Sequence, residues 1–118
     1  MEKIFKKDRA EFVKTKLSTS KTWANAALLK IYEYQTKAEQ DHMATLEHNG
    51  VGFSGTDAEI LSSFATQFER RKWLSNKQQA IVMKKMKKYW RQILKVSDIQ
   101  KIDRMIEAEK TAKIMNVI

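Results

Sequence analysis

Cations are the chemically active groups that this sequence concentrates in one place. The chain has 23 Lys and Arg residues against 14 Asp and Glu, a formal net charge of +9. Ten of the cations fall within residues 70–95, which contain no acidic residue, so the remainder of the chain is close to neutral. Because clustered ammonium and guanidinium groups attract polyanions and release their bound counterions, residues 70–95 are a candidate nucleic-acid-binding segment.

Helical periodicity sorts these charges onto one side of a helix. A helix that begins after Ser75 and turns about 100° per residue has a cationic stripe and an opposite apolar face. Surface helices usually compensate such a stripe with acidic residues three or four positions away, and none is present here. The stripe consists of Lys77, Lys84, Lys88, Arg91 and Lys95, and the apolar face of Val82, Met83, Met86, Tyr89, Trp90, Ile93 and Leu94.

The same segment has the layout of a helix-turn-helix motif. In such motifs the first residues of the second helix reach base edges in the major groove. The turn here lacks glycine, and a helical hairpin built only for packing has the same pattern, so phosphate contacts are better supported than base contacts. The candidates for base contacts are Asn76, Lys77, Gln78 and Gln79. The predicted nucleic-acid-binding residues are Arg70, Arg71, Lys72, Lys77, Gln78, Lys84, Lys88, Arg91 and Lys95.

Aromatic side chains interrupt the cations and could stack on unpaired bases. Tyr89 lies at the border of the two helix faces and is expected to be exposed, whereas Trp90 lies within the apolar face and is expected in the core. Trp73 follows two cations, and its pattern fits either environment. The sequence leaves open whether the partner is DNA or RNA, single-stranded or double-stranded, and it does not indicate the oligomeric state.

No catalytic or metal-binding pattern accompanies the cations. His42 and His48 are six residues apart, so on a helix they lie on different faces and neither has the partner a zinc site needs. The absence of Cys excludes disulfides and thiolate ligands. We therefore expect a protein that is not an enzyme and has no cofactor or metal. A nuclease site assembled from scattered carboxylates is the alternative that spacing does not exclude.

The three glycines form a formal G-x-G-x-x-G over residues 50–55. A dinucleotide-binding fingerprint needs a preceding strand and a βαβ unit, whereas a helical pattern precedes this segment. Backbone N–H groups after the loop could hold a phosphate, but Asp57 and Glu59 in the next helical turn would repel it. We interpret the segment as a helix-to-helix connection.

The composition and periodicity predict an all-α fold, a single domain over residues 1–118. No Pro and only three Gly favour long helices. We expect five helices, or six if the second one breaks at the capping box of residues 36–39. Their predicted spans are 2–16, 21–48, 56–69 opened by a capping box at 56–59, 75–95 capped by Ser75, and 97–115 opened by a capping box at 97–100.

No segment resembles a signal peptide, and none is long and apolar enough to cross a bilayer, so a cytoplasmic location is expected.

Part of the chain, residues 49–92, is similar to a short helical segment of phage and bacterial DNA-processing proteins, including helicase-related chains. The residues that carry this resemblance are Asn49 to Phe53, Asp57, Ala58, Leu61, Phe64, Leu74, Ser75, Lys77, Gln78, Lys88, Tyr89 and Gln92. The resemblance covers less than half of the chain and no nucleotide-binding motif accompanies it. It implies an accessory, phage-encoded nucleic-acid-binding protein without motor activity, and it assigns no catalytic residue.

Two other kinds of partner are compatible with a basic amphipathic helix. The first is an acidic surface of a host nucleoprotein complex, on which a protein-interaction module or a phage-encoded inhibitor would dock. The second is a membrane surface or a calmodulin-like groove, which requires the apolar face of the helix to be free.

Overall fold

Six α-helices and one 3₁₀ turn follow one another in residues 4–35 and 52–117, the part of the chain that this computed structural model describes. That part contains no strand, and the all-α prediction is confirmed. The elements are α1 (Lys6–Thr19), α2 (Lys21–Glu33), α3 (Ala58–Arg71), α4 (Asn76–Met86), a 3₁₀ turn (Lys87–Tyr89), α5 (Trp90–Val96) and α6 (Ile99–Val117).

Serine side chains set two of the helix starts that the sequence predicts. Ser20 separates α1 from α2, and its hydroxyl accepts a hydrogen bond from the backbone N–H of Trp23 at 3.3 Å. Ser75 forms a capping box with Gln78, in which each side chain binds the other residue's backbone N–H at 3.0–3.1 Å. Both caps satisfy N–H groups that the first helical turn leaves without a partner.

Two predicted capping boxes do not form as expected. Before α6, the carboxylate of Asp98 accepts from the N–H of Gln100 at 3.0 Å, while the hydroxyl of Ser97 donates back to the carbonyl of Ile93 in α5. Before α3, the side chain of Asp57 makes no capping bond. The carboxylate of Asp57 instead binds side chains elsewhere in the fold, because a buried charge needs opposite charges and hydrogen bonds to offset its loss of hydration.

The long second helix predicted over residues 21–48 is wrong, because α2 ends at Glu33. The last turn tightens, with the N–H of Tyr34 bound to the carbonyl of Ile31 at 3.0 Å and that of Gln35 bound to Tyr32 at 3.1 Å. The capping box at 36–39 and both histidines lie outside the described residues.

Helices α1 and α2 form the centre of the fold, with α3, α4 and α5 packed against them. Two ion pairs attach α6 to α1: Arg9 binds both oxygens of Asp103 at 2.8 Å, and Lys16 binds Glu109 at 2.6 Å. Among the described helices, none combines the length and apolar character needed to span a bilayer. The fully buried core side chains include Val13, Leu17, Leu28, Ile31, Phe53, Leu61, Val82 and Met86.

Candidate nucleic-acid interface

The predicted continuous basic helix is interrupted. A 3₁₀ turn of three residues, Lys87–Tyr89, separates α4 from α5. Each 3₁₀ residue turns about 20° more than an α-helical one, so the second half of the stripe is rotated by roughly 60°. The rotation still leaves the stripe opposite the buried residues Met86 and Ile93. All five members of the predicted stripe are exposed to solvent: Lys77, Lys84, Lys88, Arg91 and Lys95.

A buried carboxylate forms ion pairs with two of the lysines in residues 70–95. Asp57 is 2% exposed, and one of its oxygens lies 3.0 Å from the ammonium group of Lys85. Its other oxygen binds the ammonium of Lys88 and accepts hydrogen bonds from the hydroxyl of Tyr89 at 2.7 Å and of Ser54 at 3.2 Å. We call these five residues the Asp57 cluster.

The Asp57 cluster changes the acidity of its members. Burial acts to raise the pKa of Asp57, but the hydrogen bonds from Lys88, Tyr89 and Lys85 together outweigh it and lower the pKa to about 2. Burial raises the pKa of Tyr89 to about 12, opposed by the hydrogen bonds with Ser54 and assisted by the adjacent carboxylate. At neutral pH the cluster therefore contains an ionised Asp57 and a neutral Tyr89.

Two predictions about this region need correction. Lys88 was assigned to the nucleic-acid-binding face, but its ammonium group is bound to Asp57 although the side chain is 52% exposed. Tyr89 was expected at the surface, but it is 4% exposed because the 3₁₀ turn directs its ring into the core, 6.0 Å from that of Phe53. Both residues stabilise the fold in this arrangement.

The described part of the glycine loop is held by side chains. The backbone N–H groups of Gly52, Phe53 and Ser54 donate to Gln92, Gln35 and Tyr89, respectively, at 3.0–3.1 Å. These three donors are therefore not free to hold a phosphate.

Glycine is required at position 52. Its φ of +85° is in the left-handed region, and a Cβ there would lie 2.0 Å from an oxygen of Gln35. The loop thus acts as the connection into α3 that the sequence predicts.

The two glutamines near the start of α4 form hydrogen bonds with other side chains of the fold. Gln78, which was predicted to contact nucleic acid, exchanges two hydrogen bonds of 2.9 Å with the amide of Gln67 in addition to its capping role. Gln79 is 7% exposed and exchanges bonds of 2.8 and 3.0 Å with Asn25 of α2. Both amides link helices to one another, so these hydrogen bonds would have to be exchanged before either side chain could read a base.

The turn between α3 and α4 presents cations and one aromatic ring. Arg70 and Arg71 are exposed in the last turn of α3. Lys72 ends the helix in the left-handed conformation, with φ of 63°, where glycine is the usual residue. Trp73 follows it and is 53% exposed, while its carbonyl accepts a long hydrogen bond of 3.5 Å from Gln67.

Trp90 is half-buried against the core, and two cations lie over its ring. The ammonium of Lys14 lies 5.0 Å from the ring centroid, and the guanidinium carbon of Arg91 lies 5.2 Å from it. Such cation–π contacts orient a cation without neutralising it. Arg91 therefore keeps its full charge at the surface.

Eight cations of residues 70–95 are exposed and have no carboxylate within 4 Å among the residues that the structure describes. The sequence predicts seven of them and misses Lys87, because regular α-helical spacing places Lys87 beside the expected stripe and not within it. We call this set the basic surface: Arg70, Arg71, Lys72, Lys77, Lys84, Lys87, Arg91 and Lys95.

The apolar face opposite the basic surface is used by the core. Val82 and Met86 are fully buried, and Ile93 is 7% exposed. Capture of this face by a membrane or by a calmodulin-like groove would require the domain to unpack. In residues 4–35 and 52–117, no group of three or more His, Cys, Asp or Glu side chains is placed to hold a metal ion.

Comparison of the chain with protein-family models, curated proteins and solved structures finds no match. Several polar residues of the segment 49–92 meet in the structure. Gly52 is bound through both its N–H and its carbonyl to the side chain of Gln92, while Asp57, Lys88 and Tyr89 share one cluster. These residues form internal polar contacts that fix the glycine loop to the 3₁₀ turn and α5.

Proposed function

We propose that this chain is a small, non-enzymatic, cytoplasmic protein that binds nucleic acid by placing its basic surface against the phosphate backbone. The observation that carries the proposal is the exposure of eight cations without a carboxylate partner in the described part of the chain. Elsewhere the fold pairs some of its cations, as in Arg9 with Asp103 and Lys16 with Glu109. Uncompensated charge of this density favours a polyanionic partner.

The expected mechanism is release of counterions from the nucleic acid. Each phosphate neutralised by a Lys or Arg contributes about 0.9 to the slope of log affinity against log salt concentration on duplex DNA, and about 0.7 on single strands. Because Gln78 and Gln79 are bound to other side chains, the basic surface presents charge and few groups able to discriminate bases. We therefore expect affinity that depends strongly on salt and weakly on sequence.

The resemblance of residues 49–92 to segments of phage and bacterial DNA-processing proteins supports an accessory role. In this proposal the protein is phage-encoded and occupies nucleic acid, while the chemistry is carried out by other proteins.

Reversal of charge on the basic surface tests the proposal. The triple variant Lys84→Glu, Arg91→Glu and Lys95→Glu should bind single-stranded and duplex oligonucleotides at least about 100-fold more weakly at low salt, with a salt slope reduced by two to three. Lys88 is left in place because its removal would disturb the Asp57 cluster. Fluorescence anisotropy with DNA and RNA oligonucleotides, titrated with salt, measures both quantities.

A matched control separates the basic surface from net charge. The variant Lys7→Glu, Lys101→Glu and Lys113→Glu makes the same change in charge at exposed positions outside residues 70–95. Compared at about 0.15 M salt, it should keep affinity within about tenfold, because interactions between exposed charges are then screened over about 8 Å. Unchanged binding in the first variant, or equal loss in both, would contradict the assignment.

A protein partner is the second candidate function. Arg and Trp are enriched among residues that dominate protein–protein binding energy, and Trp73 is exposed directly after Arg70, Arg71 and Lys72. In that role the chain would be an interaction module or inhibitor that docks on an acidic surface of a host nucleoprotein complex. Absence of oligonucleotide binding at low salt, with retained folding, would favour it.

A further inference from the structure

Trp73 is the exposed aromatic residue that the fold leaves nearest to the basic surface. It is 53% exposed, in contrast to Tyr89, which is buried, and to Trp90, which is packed against the core. The turn that carries it is short and bounded by helices on both sides, α3 ending at Arg71 and α4 beginning at Asn76. The ring is therefore presented from a defined position and not from a long loop.

The backbone geometry before Trp73 is unusual for the residue present. Lys72 adopts a φ of 63° and a ψ of 17°, which disfavours any residue with a Cβ. A glycine would adopt this conformation at lower cost, yet the position carries a cation. The turn therefore has two features that the stability of the fold does not explain: a lysine in the left-handed conformation at position 72 and an exposed tryptophan at position 73.

A cavity of about 300 Å³ lies beside the turn. The side chains that line it in the described part of the chain are polar or cationic, and Gln67 links it to the carbonyl of Trp73. A cavity of this size accommodates a phosphate with its sugar. The lining residues are Ser63, Thr66, Gln67, Arg70 and Arg71.

We propose that the turn between α3 and α4 is a subsite for single-stranded nucleic acid, in which one unpaired base stacks on Trp73. The adjacent phosphates lie against Arg70, Arg71 and Lys72. Stacking on an indole requires a base whose face is free, which a duplex does not offer outside its ends. This inference rests on the proposed function and adds to it a preference for single strands.

The charge around Trp73 favours this ligand over a protein. Residues 70–73 carry three cations, and the first turn of α4 that follows contains no acidic residue. Four residues extend at most about 14 Å, so all three cations lie within the spacing of a few nucleotides from the ring. A repeating polyanion with a planar group at every unit matches this arrangement more closely than scattered carboxylates do.

Substitution of Trp73 tests the inference. Trp73→Ala should weaken binding of a 20-nucleotide single strand roughly 5- to 100-fold, the range for loss of one base–aromatic stack, and should change binding of the matching duplex less than twofold. Trp73→Phe should retain most of the affinity, because a phenyl ring still stacks. Since the side chain is exposed, the thermal unfolding of both variants should remain close to that of the original protein.

Three outcomes separate this inference from the function on which it rests. Equal weakening for single strand and duplex, or no weakening for either, overturns the subsite but leaves the proposed function intact. No binding of either nucleic acid by the original protein overturns both. If poly-glutamate binds as tightly as the single strand and loses as much affinity in Trp73→Ala, the ring serves a protein partner and the subsite assignment is wrong.

Discussion

The lysines of residues 70–95 have two different fates, and Lys84 and Lys85 illustrate them side by side. Lys85 reaches inward to the buried carboxylate of Asp57, whereas Lys84 is exposed without a carboxylate within 4 Å in the described residues. The Asp57 cluster uses positive charge to stabilise the fold. The basic surface leaves positive charge for a partner. Both residues have the same side chain and adjacent positions in the sequence, so the difference comes from where the fold places each ammonium group.

A count of cations in the sequence does not give the positive charge that the folded protein offers to a partner. Ten cations occur in residues 70–95, but only those that the fold leaves uncompensated contribute to a field outside the molecule. Asp57 lies twenty-eight residues before Lys85, and its carboxylate binds the ammonium groups of both Lys85 and Lys88. The remaining eight have no carboxylate within 4 Å among the described residues, and the proposal of a polyanionic partner rests on these eight.

The largest expected effect comes from neutralising Asp57. Asp57→Asn should lower the free energy of unfolding by about 2–4 kcal/mol, because it removes the charge that Lys85, Lys88 and Tyr89 share in a buried site. Urea denaturation measures the change. Nucleic-acid affinity at a temperature where the variant is folded should not fall, because the basic surface is untouched.

A control for this variant is available on α1. Glu11 is 75% exposed and lies 3.7 Å from Lys14. Glu11→Gln should change the free energy of unfolding by no more than about 0.5 kcal/mol. Equal destabilisation by the two substitutions would show that the Asp57 cluster is no more important than a surface ion pair.

Acid should act on the Asp57 cluster in the same direction. Because the pKa of Asp57 falls from 3.8 in the unfolded chain to about 2 in the fold, the unfolded state binds more protons between these values. The stabilisation is complete above about pH 5 and is lost as pH falls through the folded pKa. We expect a loss of about 2 kcal/mol between pH 5 and pH 2 from this group.

Denaturation curves for the original protein and for Asp57→Asn at pH 5 and pH 2 isolate this contribution. The variant should lose about 2 kcal/mol less than the original protein over the interval, since its residue 57 does not titrate. Equal losses in the two proteins would assign the acid sensitivity to other carboxylates.

Local signals allowed much of the fold to be predicted from the sequence. The period of apolar residues identified α4 and its buried side chains Val82 and Met86, and Ser75 caps α4 as expected. These features depend on residues within a few positions of one another. The sequence needs no distant partner to specify them.

Several of the errors involve contacts between distant segments. Asp57 carried a local capping pattern, but its partners are 28 to 32 residues away, and Gln79 is bound to Asn25, 54 residues away. The 3₁₀ turn has no sequence marker, because no Pro or Gly interrupts residues 87–89. Spacing along the chain therefore identified the cations of the site but could not separate the exposed ones from those that the fold uses.

The smallest expected effect lies at Lys72, where stability and binding should move in opposite directions. Lys72→Gly should raise the free energy of unfolding by about 0.5–1 kcal/mol, because glycine adopts a φ of 63° without strain and this gain exceeds the added entropy of the unfolded chain. The same substitution removes one cation of the basic surface. It should weaken binding roughly two- to threefold at about 0.1 M salt and lower the salt slope by about one.

Lys72→Ala separates the two effects at this position. It removes the same charge but keeps a Cβ in the left-handed conformation, so it should weaken binding as much as Lys72→Gly without the gain in stability. Thermal unfolding and salt-titrated anisotropy on the three proteins measure both quantities. An equal gain in stability for alanine and glycine would mean that the charge of Lys72, and not its backbone conformation, destabilises the turn. In that case, repulsion among Arg70, Arg71 and Lys72, and not backbone strain, would be the main cost of keeping these cations together.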